Sequence, residues 1–155
     1  MDDVRSIVQE FVETRGIAEN MIHLSDSGHF HVVFDPGHLH EVVTNLLSNA
    51  VRYASGKPGC IRLIIKISSG SRRELHIQDD GPGISSIVRS HLFEPFYTTS
   101  SKGTGLGLYM ARELCLNNHA VLDYEYRNDD THTYGIEPGG RFVINFSSNE
   151  NHESK

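Results

Sequence analysis

One helical stretch, residues 38–54, constrains the fold of this chain most, because its sequence HLHEVVTNLLSNAVRYA has two distinct faces. Residues three or four apart share one side of a helix, so Asn45, Asn49 and Arg52 form one stripe. An apolar stripe on another side of the helix consists of Leu39, Val42, Val43, Leu46, Ala50 and Ala54. One side can therefore face a core while the polar side lines a cavity.

Length and charge place the chain among ordinary globular domains. Its 155 residues suit one domain, and 37% are apolar and 22% charged. The net charge of −6 gives no electrostatic help to nucleic-acid binding. Apolar runs such as residues 61–67 fall far short of the roughly 20 residues of a membrane span. Cys60 and Cys115 lack the C-x-x-C spacing, so we expect free thiols.

The chain interleaves helical and strand-like patterns. Helical spacing predicts helices over residues 3–15, 36–54, 85–92 and 107–118, with Asp35 capping the second and Pro36 starting it. Alternating or β-branched runs predict strands over residues 21–24, 30–34, 60–68, 74–78, 120–126 and 141–146. These patterns predict an α+β sandwich, with about three helices packed on one face of a mixed, mostly antiparallel sheet.

The asparagine stripe suggests a metal and phosphate site. The amide oxygens of Asn45 and Asn49 suit Mg²⁺, a hard cation that keeps several waters and bridges to phosphates. Arg52 could meet a phosphate, and Tyr53 could stack on a base. The alternative is that these asparagines are solvated on a surface helix and bind nothing.

A second segment, Asp79-Asp80-Gly81-Pro82-Gly83, has the spacing D-x-G-x-G directly after a predicted strand. Glycine lets a ligand approach the backbone closely, and a carboxylate can accept a hydrogen bond from an exocyclic amine such as that of adenine. The alternative is a simple tight turn, in which the same residue types are common.

Two further segments complete the pattern. Residues 93–99, FEPFYTT, place three aromatic side chains in a region without regular structure, which fits either core anchoring or a hinged lid. Residues 102–108, KGTGLGL, form a glycine loop that leads into a helix, where free N–H groups favour an anion. The sequence has no Walker A loop, no dinucleotide-binding glycine spacing and no HRD or DFG segment.

Together and in this order, HEVVTNLLSNAVRYA, DDGPGI, FEPFYTT and KGTGLGL resemble the N, G1, F and G2 boxes of the sensor histidine kinases. The resemblance extends over about residues 4–146. It implies the Bergerat ATP-binding fold that these kinases share with the gyrase, Hsp90 and MutL group. Within the kinases, the segment FEPFYTTSSKGTGLGLYMARELC is most similar to the nitrogen-regulation and type IV pilin sensor kinases.

The resemblance implies a role for each matching position. Asn49 would hold Mg²⁺, Asn45 would assist at the metal and phosphates, and Arg52 would contact a phosphate. The adenine would be bound by Tyr53, Asp79, Gly81 and Gly83. Residues 84–102 would form a lid over ATP, and Ile84 and Lys102 at its ends belong to the site. The phosphates would be wrapped by Gly103, Thr104, Gly105, Leu106, Gly107 and Leu108.

Asn45 separates two classes within the superfamily. Its ATPases have a glutamate four residues before the metal-binding asparagine, as the general base for water. An amide cannot take that proton at neutral pH, so Asn45 favours phosphoryl transfer to another nucleophile. The resemblance therefore implies a protein-histidine kinase. The alternatives are an ATPase of this superfamily, a serine kinase of the anti-sigma type, or a nucleotide-binding module without catalysis.

The sequence departs from the family at its beginning, because the dimerisation and phosphoacceptor helix pair with its histidine is absent. We therefore expect residues 1–147 to be the catalytic and ATP-binding domain of a longer sensor, followed by a disordered tail over residues 148–155. Its expected partners are the separate phosphoacceptor domain and, downstream, a response regulator. We expect this part to be monomeric and cytoplasmic, in contact with neither membrane nor nucleic acid.

Overall fold

A computed structural model of the chain describes residues 2–26, 30–68, 72–81, 85–97, 106–127 and 139–146. Helices and strands alternate along these residues, and the α+β prediction is confirmed. The helices are α1 (Asp2–Arg15), α2 (Pro36–Tyr53), α3 (Ser86–Ser90) and α4 (Gly107–Asn117). The strands are β1 (Ile22–Asp26), β2 (Ile61–Ser68), β3 (Arg72–Asp79), β4 (Val121–Arg127) and β5 (Gly139–Asn145).

The five strands form one sheet in the order β1-β2-β3-β5-β4. The β1–β2 pair is parallel and the other three pairs are antiparallel, so the predicted mixed and mostly antiparallel sheet is confirmed. Strands β2 and β3 pair from Ser68 with Arg72 to Ile61 with Asp79, as expected for a hairpin. This register places Asp79, at the end of the central strand β3, beside Ile61 at the beginning of β2.

One face of the sheet forms the core with the helices. Successive side chains of a strand point to opposite faces, so paired positions build rows across the sheet. Leu63, Ile77 and Phe142 form one row, and Ile65, Leu75 and Ile144 form the next. Each of these six side chains is at most 3% exposed, and they share one cluster with buried residues of α1, α2 and α4. The predicted packing of helices on one face is therefore confirmed.

Helix α2 begins and ends as its sequence dictates. The Asp35 carboxylate accepts a hydrogen bond from the His38 N–H at 3.0 Å, and Pro36 occupies the first turn, where no N–H is needed. Its buried residues are Leu39, Val42, Val43, Leu46, Leu47 and Ala50. The apolar stripe is thus confirmed, except that Leu47 also belongs to it and Ala54 caps the end of the helix.

The predicted strand over residues 30–34 is wrong, because these residues have no regular structure. The ring centroids of Phe30 and Phe34 lie 6.1 and 5.8 Å from that of Phe146, so packing explains the aromatic alternation. The His31 carbonyl accepts a hydrogen bond from Arg73 Nη1 at 2.9 Å, instead of bonding to a strand. An apolar alternation alone therefore did not identify a hydrogen-bonded strand.

The other predicted helices and strands begin and end close to the observed ones. The helix predicted over residues 85–92 is α3, which is shorter and is followed by a turn. Its first turn is capped by the Ser85 hydroxyl, which accepts a hydrogen bond from the Val88 N–H at 3.3 Å. Cys60 and Cys115 are free and buried. The expected tail over residues 148–155 lies outside the described residues.

Candidate functional site

The end of β3 forms one wall of the candidate site. The Asp79 carboxylate accepts a hydrogen bond from the Gly81 N–H at 2.8 Å, which closes the turn after the strand. Asp79 is partly buried and Gly81 is buried. On its strand, Asp79 has the same orientation as Ile77 and Leu75, because side chains alternate between the two faces. The carboxylate predicted to bind adenine therefore lies on the helix side of the sheet.

Gly81 lies directly against the end of α2. A Cβ atom built on Gly81 would be 2.5 Å from the Tyr53 carbonyl oxygen and 2.8 Å from Asp79 Oδ1. Side-chain atoms do not approach backbone this closely, so only glycine fits. The structure thus brings together Tyr53, Asp79 and Gly81, three of the residues that the sequence assigned to adenine.

Asp80 fastens this turn to the residues that follow α2, an interaction that the sequence did not indicate. Its carboxylate accepts hydrogen bonds from the Ser55 N–H at 2.8 Å and from the Ser55 hydroxyl at 2.5 Å. The Asp80 N–H in turn donates to the Cys60 carbonyl at 2.9 Å. The two neighbouring aspartates therefore do different things: Asp79 shapes the turn, and Asp80 holds the end of α2 against it.

Asn45, the first residue of the asparagine stripe, lies beside the beginning of α4. A Cβ atom built on Gly107 would be 3.4 Å from Asn45 Oδ1 and 3.8 Å from Asn45 Cγ. Asn45 and Asn49 are both partly buried, as expected for side chains at the edge of a cavity. The first N–H groups of α4 have no partners within the helix, so the asparagine amide lies beside an end that attracts anions.

The remaining described site residues surround these two groups. Arg52 is exposed in the last turn of α2, so its guanidinium is accessible from solvent. Leu106 is the residue before α4, and Leu108 in its first turn packs against the core. The backbone N–H of Leu108 lies in the first turn, where it has no partner within the helix and can donate to a ligand. Gly83, Ile84, Lys102, Gly103, Thr104 and Gly105 lie outside the described residues.

The polar environment of the site is mainly acidic at the β3 end. Burial raises the pKa of the Cys60 thiol, and the nearby carboxylates of Asp80 and Asp79 raise it further. A thiol with a raised pKa stays protonated and is a poor nucleophile. Within the described part of the chain, no three His, Cys, Asp or Glu side chains converge on a point where a metal could bind.

Comparison with known proteins identifies a family. The profile described as "Histidine kinase-, DNA gyrase B-, and HSP90-like ATPase" matches residues 34–149. The chain is 36% identical to the sensor protein kinase PilS of Pseudomonas aeruginosa over 152 residues, which cover 94% of the chain and 27% of PilS. It is 31% identical to the signal transduction histidine-protein kinase/phosphatase MprB of Mycobacterium avium, covering 92% of the chain and 27% of MprB.

Solved structures show the same fold. A mycobacterial sensor histidine kinase MprB superposes with a TM-score of 0.73 at 24% identity, covering 94% of this chain and 91% of that one. The catalytic domain of histidine kinase ThkA gives 0.70 at 22% identity, covering 94% and 90%. The chain thus spans about a quarter of its full-length relatives PilS and MprB, and nearly all of these two structures. None of the described helices is long and apolar enough to cross a membrane.

Proposed function

Because the chain belongs to the histidine kinase-, DNA gyrase B- and HSP90-like ATPase family, we propose that it is the ATP-binding catalytic domain of a two-component sensor histidine kinase. In this function, it transfers the γ-phosphate of ATP to a histidine on a separate dimerisation and phosphoacceptor domain. A response regulator receives the phosphate downstream. The domain acts as a monomeric unit on the cytoplasmic side of the sensor.

One observation carries this proposal: α2 contributes to both ends of the candidate site. Tyr53 lies at the Asp79–Gly81 turn, and Asn45 lies at the beginning of α4. Asn45 and Tyr53 are eight positions apart in the α-helix, which corresponds to a rise of about 12 Å. A nucleoside triphosphate has a similar length between its base and its γ-phosphate. A single rigid helix can therefore fix the adenine and the phosphates relative to each other.

The adenine end would recognise hydrogen-bond donors. The Asp79 carboxylate accepts hydrogen bonds and faces the helix side of the sheet, where it can bind the adenine amino group. Tyr53 is partly buried beside it and can pack on the base. Gly81 lets the turn after β3 pack directly against the end of α2, because any side chain at this position would clash with the Tyr53 carbonyl.

The phosphate end would recognise negative charge. The free N–H groups at the beginning of α4 and its helix dipole favour phosphate oxygens. Arg52, and Lys102 together with Gly103, Thr104 and Gly105 of the glycine loop, would add charge and backbone donors. These contributions are needed because the chain as a whole is acidic, with a net charge of −6. Local donors therefore have to overcome the unfavourable field of the rest of the domain.

Mg²⁺ fits the residues present. Asn49 would hold the cation and Asn45 would assist, since a neutral amide oxygen suits a hard ion that keeps most of its waters and bridges to phosphates. The Asn45 amide already lies beside the backbone at Gly107, where the phosphates would bind. When bound, the ion neutralises charge on the phosphates. The chain's own part is to position the triphosphate.

Catalysis by this domain would rest on orientation and charge, because phosphoryl transfer needs little covalent help from the protein. Asn45 occupies the position from which a base would activate water, and its amide cannot accept the proton. The domain thus binds and orients ATP without promoting hydrolysis. The group that activates the acceptor histidine would belong to the phosphoacceptor domain.

Calorimetric titration with nucleotides tests the site. Asp79→Asn should lower the affinities for ATP, ADP and AMP alike, by about tenfold or more, because all three carry adenine. Asn49→Ala should weaken ATP by a similar factor of about ten only when Mg²⁺ is present, since it removes a metal ligand. Asp3→Asn and Asn117→Ala change the same residue types at exposed positions of α1 and α4 and should change nothing. Unchanged binding by both site variants would overturn the assignment.

A further inference from the structure

Helices α2 and α4 run antiparallel, and two of their contacts lie at opposite ends of α4. At the beginning of α4, the backbone at Gly107 lies against the side-chain amide of Asn45, in the middle of α2. At the other end of α4, the side chain of Asn118 reaches the first residues of α2, 80 and 83 positions away in sequence. The first contact lies at the proposed phosphate end, and the second lies about 16 Å further along α4.

Asn118 uses both halves of its amide at the second contact. Its Oδ1 accepts a hydrogen bond from the Asp35 N–H at 2.8 Å. Its Nδ2 donates to the Leu114 carbonyl at 2.7 Å and lies 2.9 Å from His38 Nδ1. Because Asp35 is also the cap of α2, the first turn of α2 and the last turn of α4 are tied through one side chain.

The orientation of this amide follows from its partners. The Asp35 N–H needs an acceptor and the Leu114 carbonyl needs a donor, so Oδ1 and Nδ2 can be assigned without ambiguity. The second N–H of Nδ2 is then available to His38 Nδ1, and it donates there when that ring nitrogen carries no proton. An aspartate would lack both donors, and an alanine would lack all three bonds. Among short side chains, asparagine meets these three demands.

The backbone after Asn118 fixes this side chain further. His119 adopts a positive φ of 61°, and the Ala120 N–H donates to the Cys115 carbonyl at 2.9 Å, which closes the end of α4. Cys115 is fully buried, so this end of the helix is anchored in the core. Asn118 is therefore held on both sides, by its own helix end and by the cap of α2.

On this basis we propose that Asn118 is a positioning residue for the phosphate end of the site. Its bonds to Asp35 and His38 fix how far α4 extends along α2, and hence the placement of Gly107 beside Asn45. A rigid helix passes a shift at one end to the other, and a displacement of about 1 Å stretches a hydrogen bond to a phosphate beyond its normal range. The inference rests on the proposed function, because it assumes that the phosphates bind where Gly107 lies beside Asn45.

The test compares Asn118→Ala with Asn117→Ala, which removes the same side chain one residue earlier at an exposed position. Affinities for Mg·ATP and for AMP are measured below the unfolding transition of both variants. Asn118→Ala should weaken Mg·ATP by about tenfold and AMP by less than about twofold, because the adenine end does not depend on α4. Asn117→Ala should leave both affinities unchanged.

A role in stability alone predicts a different pattern. If Asn118→Ala lowers the unfolding temperature but leaves both affinities intact, or weakens both equally, the inference is wrong. If the variant does not fold, His38→Leu removes only one of the three bonds and should weaken Mg·ATP by about two- to threefold. Equal affinities of wild type and His38→Leu would then overturn the inference.

A measurement without nucleotide separates this inference from the proposed function. In NMR spectra of the free chain, Asn118→Ala should shift the Gly107 backbone amide and the Asn45 side-chain amide, while Asn117→Ala should not. If wild type fails to bind Mg·ATP but these shifts occur, the proposed function is wrong, while Asn118 still positions Gly107 beside Asn45. If wild type binds Mg·ATP and the shifts are absent, the inference fails alone.

Discussion

The carbonyl oxygen of Tyr53 lies 2.5 Å from the position that a Cβ atom would take on Gly81. The end of α2 and the turn after β3 thus touch through backbone alone. The Ser55–Asp80 hydrogen bonds hold the same two segments together. This contact sets the distance between Tyr53 and Asp79, the two groups that we expect to bind adenine.

Replacing Gly81 by alanine should force these segments apart. The added methyl group would meet backbone atoms that cannot rotate away, so we expect a loss of about 1–3 kcal/mol in the free energy of unfolding. ATP and AMP should both bind at least about tenfold more weakly. Gly37→Ala, at the other end of α2, is the control, because its Cβ would meet only the Asp35 side chain at 3.3 Å. Normal nucleotide binding by Gly81→Ala would contradict this account of the adenine end.

Weakening the Ser55–Asp80 interaction should give graded effects. Ser55→Ala removes one hydrogen bond to the carboxylate and keeps the backbone one, whereas Asp80→Ala removes both. We expect chemical denaturation to show losses of up to about 1 kcal/mol for Ser55→Ala and about twice that for Asp80→Ala, because these groups are partly solvated. Adenine binding should weaken in the same order. A larger effect for Ser55→Ala would show that Asp80 is not the central group.

His76 should make stability depend on pH. It is 3% exposed on the sheet face opposite the helices, 3.0 Å from Glu74, and burial lowers its pKa despite that hydrogen bond. The unfolded chain then binds a proton more readily than the folded one. The contribution of His76 to the free energy of unfolding is therefore complete above the ordinary pKa of 6.5. It is lost as the pH falls through 6.5 towards the lower pKa of the folded state.

Denaturation of wild type between about pH 7 and pH 5 should therefore show falling stability, and His76→Gln should flatten this dependence. His23→Gln, at an exposed position on β1, is the matched control and should keep the wild-type slope. If stability depends on pH equally in His76→Gln and wild type, another group causes the loss of stability at acid pH.

The absence of a carboxylate at Asn45 predicts little hydrolysis. The isolated chain with Mg·ATP should release inorganic phosphate no faster than about the background rate, since an amide cannot activate water as a general base. Release is measured against Asp79→Asn, which should not bind ATP well. Sustained turnover by wild type that disappears in Asp79→Asn would instead support an ATPase of this superfamily.

The sequence was most informative where local rules decide the structure. Helix α2 could be predicted with its cap because Asp35 and Pro36 act within one turn, and its apolar stripe repeats at helical spacing. The strand predicted over residues 30–34 failed because pairing depends on a neighbour. There, packing of Phe30 and Phe34 on Phe146 produced the same alternation without a hydrogen-bonded ladder.

Contacts between distant residues could not be predicted from spacing. Asn118 reaches Asp35 across 83 positions, and Asp80 reaches Ser55 across 25, so neither pair belongs to a local pattern. Both pairs involve residue types that are common at turns and helix ends, which hides their role in a single sequence. The candidate site was therefore predicted as a set of residues, while the interactions that hold it together required the three-dimensional arrangement.

Phosphate transfer to a separate phosphoacceptor domain tests the central claim most directly. The chain is mixed with that domain and with ATP labelled at the γ-phosphate, with and without Mg²⁺. We predict acid-labile, base-stable phosphohistidine on the acceptor, dependent on Mg²⁺ and strongly reduced by Asp79→Asn. No label on the acceptor at saturating concentrations, although the chain binds Mg·ATP, would contradict a histidine kinase and leave a nucleotide-binding module.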